Sequence, residues 1–503
     1  MILKPQVLDL RIILFFLGKI VLGFGLMMAL PLLVSLAYGE LVPVFDFAIG
    51  LFVSLSVGFI LVVGARVERD VDVTWMHGMV VVSMAWLVCM FLGAVPLHLS
   101  GHWKSYLDAC FESMSGLATT GLSLVQNLDH LSHGANLWRH FLQFLGGQGI
   151  VVVALSFLVK GGPGAFRLYV GEARDEQILP NVVETAKFIW FVSLVYLCLG
   201  TLLLSLCAYF SVGLPAPEAL FHGFCIFVAA FDTGGFTPMS QSVLYYQSPL
   251  FELITLIIMI WGSLNFKLHY AVWTGHRREM IRDIEIRTFF MTLTATAVLV
   301  ALGLAKWGIY KGPFVLMRKG MYQMFSAHTG TGFQTIYSPQ FLTEWDPLAL
   351  FGIILAMGLG VSVCSTTGGI KMLRLGIILK AFREDIKRFM ISDSSVVTTR
   401  FRHLRDLFLE DRLVRSAALI TIAYISLYIF GALAGCFAGY PFLQALFEST
   451  SAAGNVGLSC GITQASMPVF LKIVYILQMW AGRLEFFSIL VLGGFIISYF
   501  RGK

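Results

Sequence analysis

Long apolar segments separated by short polar stretches run along almost the whole chain. The first two, about 12–38 and 44–63, are long enough to cross a bilayer as helices, which needs roughly 20 residues each. A unit then repeats four times: a long apolar segment, a short apolar segment, a glycine-containing loop and a second long apolar segment. The pattern predicts about ten membrane-spanning helices.

The four glycine-containing loops share a short motif and several residues at fixed distances before it. An aromatic residue lies ten positions before three of the central glycines, and a serine lies six positions before the same three. Because chance does not preserve several offsets together, the four units are predicted to be copies of one structural repeat. The motifs are Thr120-Gly121-Leu122, Gly234-Gly235-Phe236, Thr331-Gly332-Phe333 and Val456-Gly457-Leu458.

The short apolar segment before each loop cannot cross a bilayer, so it is expected to enter and return from one side. As a half-helix it would direct its partially negative C-terminal end toward the bilayer centre, which favours a cation. Glycine then permits a backbone turn that a side chain disfavours. Four such turns around one axis predict a ring of carbonyls that replaces a cation's water. Ordinary interhelical loops are the alternative interpretation.

Composition supports a membrane location, since 57% of the 503 residues are hydrophobic and 13% are charged. Of the 35 lysines and arginines, 25 fall in alternate loops, which predicts that these loops and both termini are cytoplasmic. The net charge of +6 is explained by these loops, so the lipid bilayer is the expected partner and no nucleic acid is expected. The eight cysteines form no CxxC pair, and no cofactor is expected in this chain.

These motifs resemble those of the Trk/Ktr/HKT superfamily of potassium transporters, and most of all its bacterial TrkH/TrkG branch. The resemblance implies an all-α polytopic membrane protein with four membrane–pore-loop–membrane repeats around one pore, preceded by two N-terminal transmembrane helices. The implied segments are 1–70 for the N-terminal pair and 71–165, 166–280, 281–390 and 391–503 for the repeats. Potassium is the implied substrate, and its implied selectivity filter consists of Thr120, Gly121, Gly234, Gly235, Thr331, Gly332, Val456 and Gly457.

The third repeat is about ten residues longer than the others after its central glycine. The step to the matching small-residue motif is 36 residues from Gly332 to Gly368, against 25 from Gly457 to Gly482. The extra residues predict either a loop across the pore or a glycine-kinked helix with a polar face. The family has an intramembrane gating loop at the matching place, and the residues here are Ser365, Thr366, Thr367, Gly368 and Gly369.

Arg483 lies 26 residues after Gly457, inside an apolar segment where a cation is costly. The resemblance places an arginine of this position in the pore beneath the filter, as part of the gate. There it would repel a cation about 6 Å away by roughly 3 kcal/mol at an effective dielectric near 20. A helix-packing ion pair is the alternative interpretation.

Several other polar residues have no single predicted role. Asp232 is expected near the outer mouth of the filter, where it would either attract cations or cap its loop. His328 is expected to pack around its short helix. Gln148, Asn265 and Glu485 lie at comparable depth in three repeats, and either line a cavity or join helices.

The leading functional hypothesis is potassium uptake across the bacterial inner membrane. The resemblance also implies a homodimer and a TrkA-type cytosolic ring that binds NAD or ATP, which the basic loop 371–415 would contact. The alternatives are a secondary transporter of another cation, sodium-coupled or sodium-selective, and a polytopic membrane enzyme. The sequence has no HExxH, Walker A or CxxC motif, so an enzyme is not expected. Coupling to H⁺ or Na⁺ is not decided by these residues.

Overall fold

The computed structural model describes residues 6–67, 73–149, 182–362, 367–390, 398–403 and 405–501, which are mostly helical. Within these ranges, six helices are long and apolar enough to cross a membrane, and two bent helix pairs meet the same criteria as broken spans. Two further predicted spans fall on His133–Gln148, which ends beside undescribed residues, and on Pro347–Gly358, which ends at the candidate gating loop. The prediction of an all-helical polytopic membrane protein is confirmed.

The N-terminal pair consists of Val7–Met27, continued by Ala29–Ala37, and of Leu41–Ala65. These helices cross where Gly18 faces Gly58. A Cβ atom built on Gly18 would lie 2.9 Å from the Gly58 carbonyl oxygen, and the reverse distance would be 3.0 Å. Small residues at a crossing let two membrane helices approach this closely.

Each repeat contains a long first helix, a short helix and a second helix, in the predicted order. The first helices are Trp75–Leu99, Val182–Cys207, Ile284–Trp307 and Asp411–Phe437. Short helices 1 to 4 are Tyr106–Leu117, Ala216–Phe231, Tyr322–His328 and Phe442–Ala453. Second helices 1 to 4 are His133–Gln148, Pro249–Gly262, Pro347–Gly358 and Val469–Leu484.

The remaining elements connect or extend these helices. The longer ones are Phe266–Trp273, Met372–Phe389 and Phe487–Arg501, each of which follows a second helix in its repeat. The short helical segments are Leu128–His130, Ala208–Val212, Ser242–Tyr246, Glu279–Arg282, Pro313–Val315, Leu316–Met321 and Gln340–Thr343.

The second helices begin where the sequence supplies a capping side chain or a proline. Ser132, Ser248 and Asp346 each accept a hydrogen bond from a backbone N–H of the first helical turn. Pro249 and Pro347 occupy the first helical position, where the missing N–H costs nothing. Pro468 directly precedes second helix 4.

Each second helix ends partway along the second long apolar segment of its repeat. They end at Gln148, Gly262, Gly358 and Leu484, which lie 27, 27, 26 and 27 residues after the central glycines. In repeats 2 and 4 the chain resumes as a helix after bends of 98° and 111°. The second apolar segments of repeats 2 and 4, 249–273 and 468–500, are therefore each broken into two helices. The bend in repeat 4 is a backbone feature, with φ of 52° at Glu485 and 72° at Phe486, and apolar composition does not report it.

The extra length of repeat 3 follows second helix 3 as the loop 359–371. This loop has 13 residues, whereas three residues, 263–265, separate the corresponding helices of repeat 2. The difference equals the expected excess of about ten residues. Gly358, rather than Gly368, therefore corresponds to the helix ends Gly262 and Leu484 in distance from the central glycine.

The four repeats close into a ring because each second helix packs against the short helix of the next repeat. Second helices 1, 2 and 3 contact short helices 2, 3 and 4, and second helix 4 contacts short helix 1. Arg318 and Glu252 join repeats 2 and 3 at 2.6 Å, while Lys472 and Asp108 join repeats 4 and 1 at 2.6 Å.

A small hairpin departs from the helical pattern in the loop 371–415. Strands Arg400–His403 and Arg405–Phe408 pair antiparallel, with Arg400 opposite Phe408.

The repeat boundaries stay predictions, since those after 70 and 165 fall among undescribed residues and the one after 390 falls beside them. The boundary after 280 falls within the helix Glu279–Arg282.

Candidate ion pathway

The central glycines adopt backbone conformations that side chains disfavour. Their φ angles are 92° at Gly121, 70° at Gly235, 88° at Gly332 and 93° at Gly457. The residue two positions earlier is also left-handed in every loop, at Thr119, Thr233, Gly330 and Asn455, with φ between 49° and 72°. Three of these four are not glycine, so the surrounding structure must hold them there. The sequence therefore indicated the left-handed conformation of the central glycines, but not that of the residues two positions earlier.

The same backbone hydrogen bond ties each loop to its short helix. The residue before each central glycine donates its N–H to the carbonyl oxygen five positions earlier. The pairs are Thr120 to Ser115 at 2.8 Å, Gly234 to Ala229 at 2.8 Å, Thr331 to Ser326 at 3.0 Å and Val456 to Ser451 at 2.9 Å. Because only backbone atoms take part, Ala229 replaces the serine in repeat 2 without losing the bond.

The four loops meet one another in chain order. A Cβ atom added to Gly121 would overlap the carbonyl oxygen of Gly234 in the next loop. Equivalent atoms on the other central glycines would overlap the carbonyl oxygens of Thr331, Val456 and Thr120, and the last of these closes the circle. Each glycine therefore leaves room for the next loop's carbonyl. We call this arrangement the glycine ring.

Buried acids hold the chain where it leaves the glycine ring. Glu112 accepts hydrogen bonds from the Leu124 N–H at 3.0 Å and from the Ser123 hydroxyl at 2.9 Å. Glu448 accepts the same bonds at the same offsets, from Cys460 at 3.0 Å and from Ser459 at 2.6 Å. These contacts explain why both repeats have glutamate nine residues before the central glycine.

Arg139 joins the first two loops, although nothing in the sequence pattern singled it out. Its Nε lies 2.8 Å from Glu112, and both side chains are almost fully buried. Its Nη1 donates to the Thr237 carbonyl at 3.3 Å, and the guanidinium lies 4.2 Å from the centre of the Phe236 ring. A charge buried to this degree needs such partners.

A cavity of about 390 Å³ adjoins the glycine ring, on the side where the chain leaves the central glycines. All four central glycines line it, together with hydroxyl and amide side chains that include Ser123, Ser459, Thr463 and Gln334. Among the described lining residues, the only charged side chain is Arg139, which Glu112 neutralises. The cavity wall is therefore polar without an excess of acidic charge.

Asp232 does not line this cavity. It is buried at the end of short helix 2, where its Oδ1 accepts a hydrogen bond from Gln148 Nε2 at 3.0 Å. This contact joins Asp232 to second helix 1, away from the mouth where it was expected to attract cations.

Two side-chain amides donate hydrogen bonds to loops of the glycine ring. Gln143 donates to the carbonyl of Gly234. Asn455 donates to the Thr120 hydroxyl at 3.0 Å and to the Met479 carbonyl at 3.0 Å. Neither residue was predicted, because an amide within an apolar helix or loop has many equivalent roles.

The described part of the loop 359–371 lies directly beneath glycine loops 3 and 4. Its ends are joined by hydrogen bonds from Ile370 N–H to the Gly358 carbonyl at 3.1 Å and from Met372 N–H to the Val361 carbonyl at 2.9 Å. A Cβ atom on Gly368 would lie 2.6 Å from the Gly454 carbonyl oxygen, and one on Gly330 would lie 3.3 Å from Thr367 Cγ2. Gly369 has a φ of 73°. Ser365 and Thr366 lie outside the described residues.

Arg483 is half-buried at the level of the helix breaks. Its Nη2 donates to the carbonyl of Gly146, near the end of second helix 1, at 2.5 Å. Its guanidinium carbon lies 5.7 Å from the centre of the Trp86 ring. Glu485 pairs with Arg374 rather than with Arg483.

The other polar residues left open by the sequence either join two helices or cap one. His328 Nε2 lies 2.9 Å from the Thr292 hydroxyl, and its ring meets Phe289 edge to face. Asn265 caps the helix Phe266–Trp273 by accepting the Lys267 N–H at 2.9 Å. Gln148 donates to Asp232 and accepts the Ser193 hydroxyl at 2.9 Å.

Other proteins are similar to this chain along almost its whole length. An uncharacterized cation transporter of Methanocaldococcus jannaschii is 33% identical, covering 98% of this chain and 97% of its own length. The Trk system potassium uptake protein TrkH of Salmonella typhimurium is 31% identical, covering 94% of this chain and 96% of its own length.

A solved structure shares the fold. The crystal structure of the potassium transporter TrkH from Vibrio parahaemolyticus superposes with a TM-score of 0.80 at 27% identity, covering 96% of this chain and 98% of that one. Residues 44–497 also match the family described as TrkH, cation transport protein. The chain therefore belongs to the TrkH family of cation transport proteins, a family of transporters and not of enzymes.

Proposed function

We propose that this protein carries out potassium uptake and that the ion passes through the glycine ring. The observation that carries the proposal is the closed contact of four loops, in which each central glycine abuts the carbonyl that precedes the next one. Backbone carbonyls bind a cation through dipoles and can replace its hydration shell. The potassium-uptake names of the relatives support potassium as that cation.

In this proposal the potassium-binding residues are those that the sequence analysis assigned. They supply four carbonyls before the glycines and four at the glycines. The Gly234 carbonyl already accepts a hydrogen bond from Gln143, so the second repeat would bind the ion less strongly than the others.

The proposed gate is the loop 359–371 together with Arg483. Thr367 and Gly368 lie against the underside of the glycine ring, so a small displacement of this loop would open or close the path. Ser365 and Thr366 complete the gate by resemblance. Arg483 contributes a positive charge below the ring.

The proposed setting is the bacterial inner membrane, with both termini in the cytoplasm and the protein as a homodimer. A TrkA-type ring that binds NAD or ATP would contact the loop 371–415, which continues from the proposed gate. The eleven basic residues of this loop support a cytoplasmic location.

The decisive test is rescue of a bacterium that lacks potassium uptake systems, grown on low potassium with the chain and its cytosolic partner expressed together. Growth should be restored, and purified protein in liposomes should take up rubidium. Membrane-inserted protein that restores neither growth nor uptake would contradict the proposal.

Replacing Arg483 with alanine should raise rubidium uptake severalfold, because removing a positive charge below the ring lowers the barrier to a cation. The measurement is initial uptake into proteoliposomes, normalised to the amount of protein. Arg412→Ala removes an exposed charge at the start of a first helix and should leave uptake unchanged. Equal uptake by the Arg483 variant and the parent protein would assign this arginine to helix packing alone.

Replacing Gly121 with serine should raise sodium permeation relative to potassium. At a φ of 92° the new side chain would press on the Gly234 carbonyl and distort one quarter of the ring. Gly439→Ser is the matched control, since Gly439 has a φ of 94° but open space around it. The ratio of sodium to rubidium uptake measures the effect, and an unchanged ratio would place ion discrimination elsewhere.

A further inference from the structure

A basic pocket of about 460 Å³ lies where the hairpin meets the start of the first helix of repeat 3. Five of its eight lining residues are basic and one is acidic. The lining residues are Arg282, Ile284, Arg287, Lys380, Arg400, Phe401, Arg402 and Asp406. They come from three separate parts of the chain, so the fold, rather than a run of sequence, concentrates this charge.

Among the described residues, most of these basic side chains form no ion pair with a carboxylate. Arg402 is the exception, since it binds Glu279 at 2.5 and 3.0 Å, and these bonds lower the pKa of Glu279 and keep it ionised. Lys380 donates to the Arg400 carbonyl at 3.1 Å, and Arg287 donates to the Ile281 carbonyl at 3.1 Å. In the described part of the chain, the other four basic side chains form no close ion pair with a carboxylate, although Arg282 also acts electrostatically on Glu279.

The pocket is held in shape by contacts on its outer sides. His403 of the hairpin lies 3.1 Å from Asp283, which caps the first helix of repeat 3. Ile284 and Phe401 form an apolar floor that packs with Ile377 and Ala417. A site whose walls are already fixed loses little freedom on binding a ligand.

We propose that this pocket binds a phosphate-bearing anion, either the head group of an anionic lipid or a free polyphosphate. Guanidinium groups match phosphate oxygens in charge and in their forked geometry. The pocket stands at the end of a membrane-spanning helix, where lipid head groups lie, and clusters of basic residues there bind such head groups. Exposed Ile281 and Phe408, at 75% and 53%, are next to pocket arginines and suit a lipid neighbour.

The pocket is connected to the loop 359–371 through one helix. Lys380 lies on Met372–Phe389, and Lys371, which directly precedes this helix, donates to Thr367 in the loop. Gly376 of the same helix packs closely on Thr288 and Ile284. An anion bound to Lys380 and Arg400 would therefore hold this helix against the hairpin. An effect on flux rests on the proposed function, whereas binding itself does not.

The experiment uses full-length protein in nanodiscs and two probes. One arm titrates pyrophosphate by calorimetry in phosphatidylcholine nanodiscs, and the other measures retention of phosphatidylglycerol by native mass spectrometry after release from nanodiscs that contain both lipids. The double variant Arg282→Gln, Arg400→Gln should bind the relevant probe at least about tenfold more weakly, because it loses two charge-assisted contacts. Arg412→Gln, an exposed cytosolic charge outside the pocket, is the matched control.

Binding of pyrophosphate that depends on the pocket would identify a free polyphosphate as the ligand, and pocket-dependent retention of phosphatidylglycerol would identify a lipid. Equal weakening by Arg412→Gln would reduce the effect to general surface charge and overturn the proposal. Failure of both probes to bind would overturn the proposal. If the double variant then also lost binding to a cytosolic protein partner, the pocket would be a docking surface.

Discussion

Replacing Gly332 with alanine should reduce rubidium uptake more than tenfold. The added methyl group would overlap the carbonyl oxygen of Val456, which belongs to the backbone of the next loop and cannot rotate away. The φ of 88° adds roughly 1 kcal/mol of strain for a residue with a side chain. Since each 1.4 kcal/mol is a factor of ten in rate, even partial relief of the overlap leaves a large loss.

Gly312→Ala is the control that separates backbone strain from steric overlap of the added methyl group. Gly312 has a φ of 95°, but a Cβ atom there would meet nothing within 4 Å. This variant should retain uptake within about twofold of the parent protein, since it carries only the backbone strain. If the two variants transport equally well, with equal amounts of folded protein in the liposomes, the glycine ring is not the path of the ion.

Replacing Lys472 with methionine should destabilise the fold by roughly 3–5 kcal/mol, the usual effect of leaving one partner of a buried ion pair alone. Lys472 Nζ lies 2.6 Å from Asp108 Oδ1, and the two side chains are only 6% and 1% exposed. Lys472 also donates to the Ala465 carbonyl at 3.0 Å. The variant should unfold at a clearly lower temperature in detergent.

Lys306→Met is the control for this substitution, because Lys306 pairs with Asp346 but is 68% exposed. Its effect should stay within about 1 kcal/mol. Adding Asp108→Asn to Lys472→Met should recover part of the stability, since it removes the unpaired charge. A double variant that is less stable than either single variant would refute the ion-pair explanation.

The sequence predicted the repeated parts of the fold well, because their cause is local. Long and short apolar segments have direct physical interpretations in a membrane, and the structure brings Gly121, Gly235, Gly332 and Gly457 together. The offsets of Glu112 and Glu448 were also visible, although only the structure relates them to backbone groups beyond the glycines.

The features that were not predicted depend on distant or backbone contacts. Arg139 and Lys472 are ordinary charges in the sequence, and their burial follows from partners supplied by other repeats or helices. The helix break at Glu485 occurs within an apolar segment with no proline. Thr119 and Thr233 hold left-handed conformations that β-branched residues disfavour. In each case a tertiary contact overrides a local preference.

The pairing of Asp108 with Lys472 has a consequence for how the protein is made. These residues are 364 positions apart, so at about 5–20 residues per second the ribosome needs roughly 20–70 s to travel from one to the other. During this interval the first quarter of the chain is in the membrane while the carboxyl of Asp108 has no lysine to bind. In a newly made chain the Asp108 carboxyl therefore stays without its lysine partner until the last quarter of the chain is inserted. A chain that ends before residue 472 would never supply the lysine that pairs with Asp108.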